Sequence, residues 1–202
     1  MQQAKHNSLL FYLLAGGLVF AWSAIAPHDR ITWCLEVAPI AIALPILLLT
    51  YKRFPLSPLV YLLIFIHAII LMIGAHYTYA EVPLFNWLKD SFELSRNHYD
   101  RVGHFAQGFV PAITARELLL RNTALTSNKW LFAIIVLSCT GISATYELLE
   151  WVSAEILGQG ADAFLGSQGD VWDTQKDMAL AMLGASLALL TLSKLHDKQL
   201  GS

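Results

Sequence analysis

The sequence predicts an all-α polytopic membrane protein with about six transmembrane helices in one bundle. Two observations lead to this fold class. Hydrophobic residues make up 56% of the 202-residue chain and charged residues only 14%, which is far more apolar than a soluble domain of this size. The apolar residues are also gathered into runs of about 20, the length that crosses the hydrocarbon core of a bilayer as a helix.

Six runs of this length follow one another along the chain. We predict spans at Ser8–Ala26, Ile31–Thr50, Pro58–Ala80, Tyr99–Leu120, Trp130–Leu149 and Thr174–Leu195. The fourth run is the least apolar, and it carries Arg101, His104, Gln107, Arg116 and Glu117. We interpret the first run as a retained helix, because no cleavage site of small residues leads from it into a polar mature region. No linker or repeat interrupts the series, so residues 1–202 are predicted to form a single six-helix transmembrane domain.

The distribution of lysine and arginine predicts the orientation, because cytoplasmic loops of membrane proteins are enriched in positive charge. With the N-terminus inside, eight cationic residues lie on the cytoplasmic side: Lys5, Lys52, Arg53, Arg116, Arg121, Lys129, Lys194 and Lys198. Five lie on the opposite side: Arg30, Lys89, Arg96, Arg101 and Lys176. We therefore predict that both termini are cytoplasmic and that the longer loops, Glu81–His98 and Trp151–Asp173, lie outside. These cations form no basic stripe, so no nucleic-acid partner is expected.

Polar side chains gather at the predicted outer ends of the fourth and fifth spans. Asp100 and His104 are spaced i, i+4 on the fourth span and share a helix face, which Gln107 continues. The local alternative for this pair is a hydrogen bond that stabilises the start of a helix. On the fifth span, Glu147 and Glu150 are spaced i, i+3 and also share a face. Glu150 also suits a helix end that meets water, whereas Glu147 follows a long apolar run.

The stretch that leads into the sixth span carries a third set of polar groups. Asp170, Asp173 and Asp177 are spaced i, i+3, i+7, so they share one face if the helix starts near Asp170. Helix capping is the alternative for Asp170 or Asp173, whereas Asp177 lies a turn further into the apolar run. Carboxylates at membrane depth are energetically expensive and are retained mainly for function. We therefore predict that the three sets form one outward-facing polar site.

Three segments carry a family resemblance: Asp100–Gly108, Tyr146–Trp151 and Gln168–Met178. Together they resemble the YjdF-like family of bacterial inner-membrane proteins, and this resemblance implies a multi-pass protein of that membrane. The second half more distantly resembles the VanZ-like proteins, in which an Asp–His pair, a Glu and a final Asp-x-x-x-Asn-x-x-Gly helix follow one another. The matching residues here are Asp100, His104, Glu147, Asp177 and Gly184, with Ala181 at the position of the Asn.

Three functions fit these residues. The first is an envelope enzyme that acts on a lipid or lipid-linked head group, because histidine with carboxylates can bind a divalent metal or exchange protons. The second is a small proton-coupled transporter, although Arg116 and Glu117, in the inner half, fit a cytoplasmic helix-end pair. The third is a non-catalytic protein that binds membrane lipid or a protein partner.

The candidate residues are the same in each hypothesis. The catalytic candidates are His104, Glu147, Asp173 and Asp177; the binding candidates are Asp100, Gln107, Glu150, Gln168 and Asp170; the metal-ligand candidates are His104, Glu147 and Asp177. A divalent metal is the one cofactor that these residue types indicate. The sequence leaves the oligomeric state open.

Reporter fusions test the predicted orientation. Fusions at Leu56 and Asn122 should report the cytoplasm, and fusions at Asp90 and Gly166 the outside, because the charge distribution assigns each loop to that side. The measurement is the activity of reporters that fold on only one side of the membrane. A cytoplasmic signal at Gly166 would contradict both the orientation and the outward-facing site.

Overall fold

A computed structural model describes residues 2–157 and 167–201, with side chains described over residues 7–156 and 167–201. Within these ranges the chain forms seven α-helices and no strand: α1 (Gln2–Ser23), α2 (Arg30–Thr50), α3 (Pro58–Tyr77), α4 (Pro83–Ser91), α5 (Tyr99–Asn122), α6 (Lys129–Leu157) and α7 (Asp173–Leu200). A 3₁₀ turn, Tyr79–Glu81, joins α3 to α4. The predicted all-α polytopic class is confirmed.

Each of the six predicted spans coincides with a helix. Helices α2, α3, α6 and α7 are long and apolar enough to cross a membrane, and α1 contributes a shorter apolar helix, Asn7–Ser23. Helix α5 is long enough at 24 residues, but its polar side chains make it the least apolar of the six. Its place as a span therefore depends on where those side chains point.

Two predicted loops are partly helical, and the last helix starts one residue before Thr174, the predicted start of the sixth span. The loop Glu81–His98 contains the amphipathic helix α4, and α6 runs on past Leu149 to Leu157 because no glycine or proline interrupts the chain there. Glu147 and Glu150 thus lie inside α6 rather than at its end. Helix α7 begins at Asp173 and not near Asp170. The predicted outer positions Asp162 and Gly166 lie outside the described residues.

The backbone divides into two compact units, residues 1–100 and 101–202, with the boundary inside the continuous helix α5. In the first unit α3 packs against both α1 and α2. In the second unit α6 packs along α7. The prediction of a single domain is not tested by this division and stays a prediction.

The start of α5 is held by the segment that follows α3. The Tyr99 hydroxyl donates to the carbonyl of Ile70 at 2.9 Å, and the Tyr99 ring is buried against Tyr79 and Val82. The side-chain oxygen of Asn97 accepts a hydrogen bond from the Tyr99 N–H at 3.0 Å. The Asn97 contact satisfies one N–H group that a helix start leaves open, and together these contacts fix the first turn of α5, which carries Asp100.

Helices α5 and α7 approach each other closely because both place glycine at the contact. A Cβ atom added to Gly108 would overlap the carbonyl of Ala181, and one added to Gly184 would overlap the carbonyl of Phe105. Small residues allow this approach in membrane helices, where packing and not water drives association. The buried residues of α7 form one stripe: Asp173, Asp177, Ala181, Gly184, Ala185, Ala188, Leu189 and His196.

Alanine substitutions test this contact. We expect Gly108→Ala and Gly184→Ala each to lower the free energy of unfolding by about 1–3 kcal/mol, because the added methyl group forces the two backbones apart. Gly141→Ala on α6 is the matched control, since nothing lies within 4 Å of its Cβ position. The measurement is the thermal unfolding midpoint in detergent, and equal midpoints for all three variants would contradict the close approach.

Candidate functional site

Helices α5, α6 and α7 run in alternating directions, so the polar residues of the second unit and the first turn of α5 gather at two ends. We name these ends by their residues. The carboxylate end comprises Asp100, His104, Glu147, Glu150, Asp173 and Asp177. The arginine end comprises Arg116, Glu117, Arg121, Ser127, His196 and Asp197.

Asp100, His104 and Asp177 form the centre of the carboxylate end. Each offers one ligand atom, and among the described residues these three atoms lie within 4.8 Å of one another. All three side chains are buried, Asp177 to 2% exposure. Metal–ligand bonds of about 2.0–2.6 Å place the ligands of one ion within roughly 5 Å of each other, so the spacing is that of a metal-binding group.

The two ring nitrogens of His104 are distinguished by their neighbours. Nδ1 lies 3.2 Å from Oε1 of Gln107 and 3.6 Å from Oε1 of Glu147. Of these two contacts, only the one with Gln107 is short enough for a hydrogen bond. With the amide of Gln107 placed so that its oxygen accepts, the proton is assigned to Nδ1 and the lone pair to Nε2.

Ser143 lies one turn before Glu147 on the same face of α6 and is fully buried. Within the described part of the chain its Oγ has no hydrogen-bond partner, whereas the hydroxyl groups of Thr140 and Thr145 each donate to the carbonyl four residues earlier. Hydroxyl groups in membrane helices usually make that backbone bond. The Ser143 hydroxyl is thus available to a ligand on the side of the carboxylate end that is nearer the middle of α6.

Asp170 stabilises the turn that precedes α7 through hydrogen bonds. Its carboxylate accepts hydrogen bonds from Lys176 Nζ at 2.6 Å and from Arg101 Nη2 at 2.7 Å, and its Oδ1 accepts from the Trp172 N–H. The hydrogen bond from Lys176 is the main cause that lowers the pKa of Asp170 below its ordinary value. The contribution of these contacts to stability is present above the ordinary pKa and is lost as the pH falls through the lowered one.

The structure brings together most of the candidates, and their roles stay predictions. His104, Gln107, Glu147 and Asp177 meet as expected. The group with metal-ligand spacing contains Asp100 where the sequence suggested Glu147, whose Oε1 lies 3.6 Å from His104 Nδ1. Glu150 is buried on the same face of α6. Asp173 is the first residue of α7, and its Oδ1 lies 3.9 Å from Arg101 Nη2, so it does not cap the helix.

Gln168 lies in the turn before α7, where it is exposed and has a left-handed backbone with φ of 47°. The same turn is fastened by Asp170. The predicted binding role of Gln168 therefore concerns a residue at the rim of this end.

Sequence reasoning missed the arginine end. Arg116 and Glu117 are not an exposed helix-end pair, because their side chains are 2% and 0% exposed. The Arg116 guanidinium contacts Asp197 Oδ1 at 2.6 Å, Ser127 Oγ at 3.0 Å and His196 Nδ1 at 3.0 Å. Periodicity could have found the histidine, since His196 continues the buried stripe of α7.

The tautomer of His196 follows from its partners. Arginine only donates, so Nδ1 of His196 accepts from Arg116 and the proton is on Nε2, which lies 2.9 Å from Glu117 Oε2. The other oxygen of Glu117 accepts from Arg121 Nη1 at 2.7 Å. The network is thus closed by hydrogen bonds between α5 and α7.

Comparison with known proteins agrees with this architecture. The family model described as "Predicted membrane protein (DUF2238)" matches residues 8–198. The chain is 49% identical over 183 residues to the inner membrane protein YjdF of Escherichia coli (strain K12), covering 91% of this chain and 88% of that protein. No solved structure matches. The relative and the apolar helices indicate a multi-pass protein of the bacterial inner membrane, and the chain belongs to the DUF2238 family of predicted membrane proteins, confirming the YjdF-like resemblance.

Proposed function

We propose that the carboxylate end binds a divalent metal ion and, through it, the phosphate-bearing head group of a lipid or lipid-linked molecule. The observation that carries this proposal is the group formed by Asp100, His104 and Asp177, with buried ligand atoms within 4.8 Å of one another. Burial of carboxylates is expensive unless a cation or hydrogen bonds compensate, and a divalent ion compensates two at once.

The ligand set favours a transition metal such as Zn²⁺ or Mn²⁺. Two carboxylates and one imidazole combine the ligands that suit these ions. We assign Nε2 of His104 as the ligand atom, because Nδ1 donates to Gln107 Oε1 in the assigned tautomer and lies 3.6 Å from Glu147 Oε1. Hydrogen-bond acceptors of this kind fix the ring of a metal-bound histidine and raise its basicity. We therefore assign Glu147 to positioning His104.

Three protein ligands leave coordination positions for water or for phosphate oxygens. Glu150, Asp173, Gln168 and the Ser143 hydroxyl are the remaining groups for head-group contacts, and Asp170 is assigned to holding the turn. If a bound metal were to lower the pKa of a coordinated water, the protein would be a hydrolytic enzyme of the envelope. Without that activation it would be a binding protein. We also propose that this end faces the outside of the membrane and that the chain is related to the VanZ-like proteins.

A proton-coupled transporter is less well supported. From Asp177 to His196 the buried stripe of α7 holds only alanine, glycine and leucine. These two residues are 196 − 177 = 19 positions apart, which is about 28 Å along a helix. A proton relay needs titratable groups at closer intervals, and the buried stripe of α7 provides none between the two ends.

Metal binding is measured directly on purified protein. We expect mass spectrometry to find about one Zn²⁺ or Mn²⁺ per chain. Added metal should raise the unfolding midpoint, because a metal concentration of 100 times the dissociation constant raises the free energy of unfolding by about 2.7 kcal/mol. His104→Ala and Asp177→Asn should lose both effects. Asp90→Asn, which removes an exposed carboxylate on α4, is the matched control and should keep them. Metal binding by all variants alike would refute the site.

The metal-free stability of Asp177→Asn separates a functional from a structural role. Asparagine keeps the shape of the side chain and is cheaper to bury than an ionised carboxylate, so the midpoint without metal should hold or rise. If Asp177 is instead half of a structural ion pair, its replacement leaves a buried charge and should cost on the order of 3–5 kcal/mol. A large fall in the midpoint therefore contradicts the proposed role.

A further inference from the structure

A cavity of about 410 Å³ lies at the arginine end, where the last turns of α5 and α7 meet the start of α6. One part of its wall is polar and includes Arg116, Ser127 and Lys129. The other part is apolar and includes Phe132, Ile135 and Leu189. A cavity with one polar and one apolar wall fits a ligand that has an anionic head group and a hydrocarbon tail.

The polar wall is prepared for a phosphate group. Arg116 is buried and held in place by Asp197 and His196, while its Nη2 also contacts the Ser127 hydroxyl at 3.0 Å. Guanidinium, ammonium and hydroxyl groups are donors that match phosphate oxygens. The first N–H groups of α6 are already capped by Asn128 Oδ1, so side chains and not the helix terminus provide the donors.

The charges beside the cavity favour an anionic ligand. Among the described residues that line it, Arg116 and Lys129 are the two that carry charge. A phosphodiester would supply a negative charge next to these two cations. The apolar wall adds a place for the acyl chain, which a free phosphate ion would leave unused.

We propose that this cavity binds an anionic phospholipid, with its phosphate at Arg116 and Lys129 and its acyl chain against Phe132 and Ile135. The site is distinct from the carboxylate end, because its lining residue Ser193 is 193 − 177 = 16 positions from Asp177, about 24 Å along α7. On the predicted orientation it faces the cytoplasmic leaflet, whose anionic lipids attract basic residues.

The test measures lipid binding by native mass spectrometry and by the unfolding midpoint in detergent. Phosphatidylglycerol should bind and raise the midpoint of the parent, whereas phosphatidylcholine, which has no net charge, and inorganic phosphate should not. Lys129→Gln should weaken phosphatidylglycerol binding by roughly five-fold, the effect of one lysine near an anionic lipid. Ser193→Leu should weaken it without any change of charge, because the larger side chain fills the cavity.

Lys52→Gln is the matched control, since Lys52 is an exposed lysine of the first unit on the same predicted side. It should bind phosphatidylglycerol like the parent. Stabilisation by inorganic phosphate alone would identify a phosphate site and overturn the proposal, as would equal binding of the two lipids. Unchanged phosphatidylglycerol binding by Lys129→Gln would also overturn the proposal. Because Lys129 is exposed, this variant should fold, so it tests the proposal even if Ser193→Leu fails to fold.

Discussion

The close contact between α5 and α7 is the constraint on which both polar ends depend. Gly108 and Gly184 let the two backbones meet, and a side chain at either position would separate them. Only at that distance do the short carboxylates of α7 reach the side chains of α5. The same contact aligns Asp177 with His104 at one end and His196 with Glu117 at the other. Glycine in the middle of the helix pair thus determines the chemistry at its ends.

This arrangement explains how a polar helix can belong to the membrane-spanning part of the chain. Helix α5 is the least apolar of the predicted spans, yet Asp100, His104, Arg116 and Glu117 are all buried. Asp100 and Glu117 are 17 positions apart, about 26 Å along the helix, which is close to the thickness of the hydrocarbon core. The charged side chains of α5 and His104 therefore gather toward the two ends of the helix, with Gln107, Gly108 and mostly apolar residues between them.

The sequence predicted the helices well because apolar runs of span length are a strong local signal. It also placed Asp100 and His104 on one face, since i, i+4 spacing needs no knowledge of the other helices. The arginine end was missed because Arg116 and His196 are 80 residues apart and only their packing joins them. The extension of α6 past Leu149 was missed because the falling hydropathy marked the end of the span and not the end of the helix.

The two ends differ in how their charges are balanced, and this difference decides which one is the candidate for metal chemistry. At the arginine end, Glu117 contacts Arg121 and His196, and Asp197 contacts Arg116, so each carboxylate meets a protein cation or imidazole donor. At the carboxylate end, five carboxylates are buried: Asp100, Glu147, Glu150, Asp173 and Asp177.

Two guanidinium contacts are described at this end: Arg96 lies 3.3 Å from Asp100, and Arg101 lies 3.9 Å from Asp173. Carboxylates gathered in a medium of low dielectric repel one another strongly, so a bound cation would stabilise this group. The close group of Asp100, His104 and Asp177 offers ligand atoms for such a cation, whereas Arg116 and Lys129, beside the cavity at the arginine end, suit an anion.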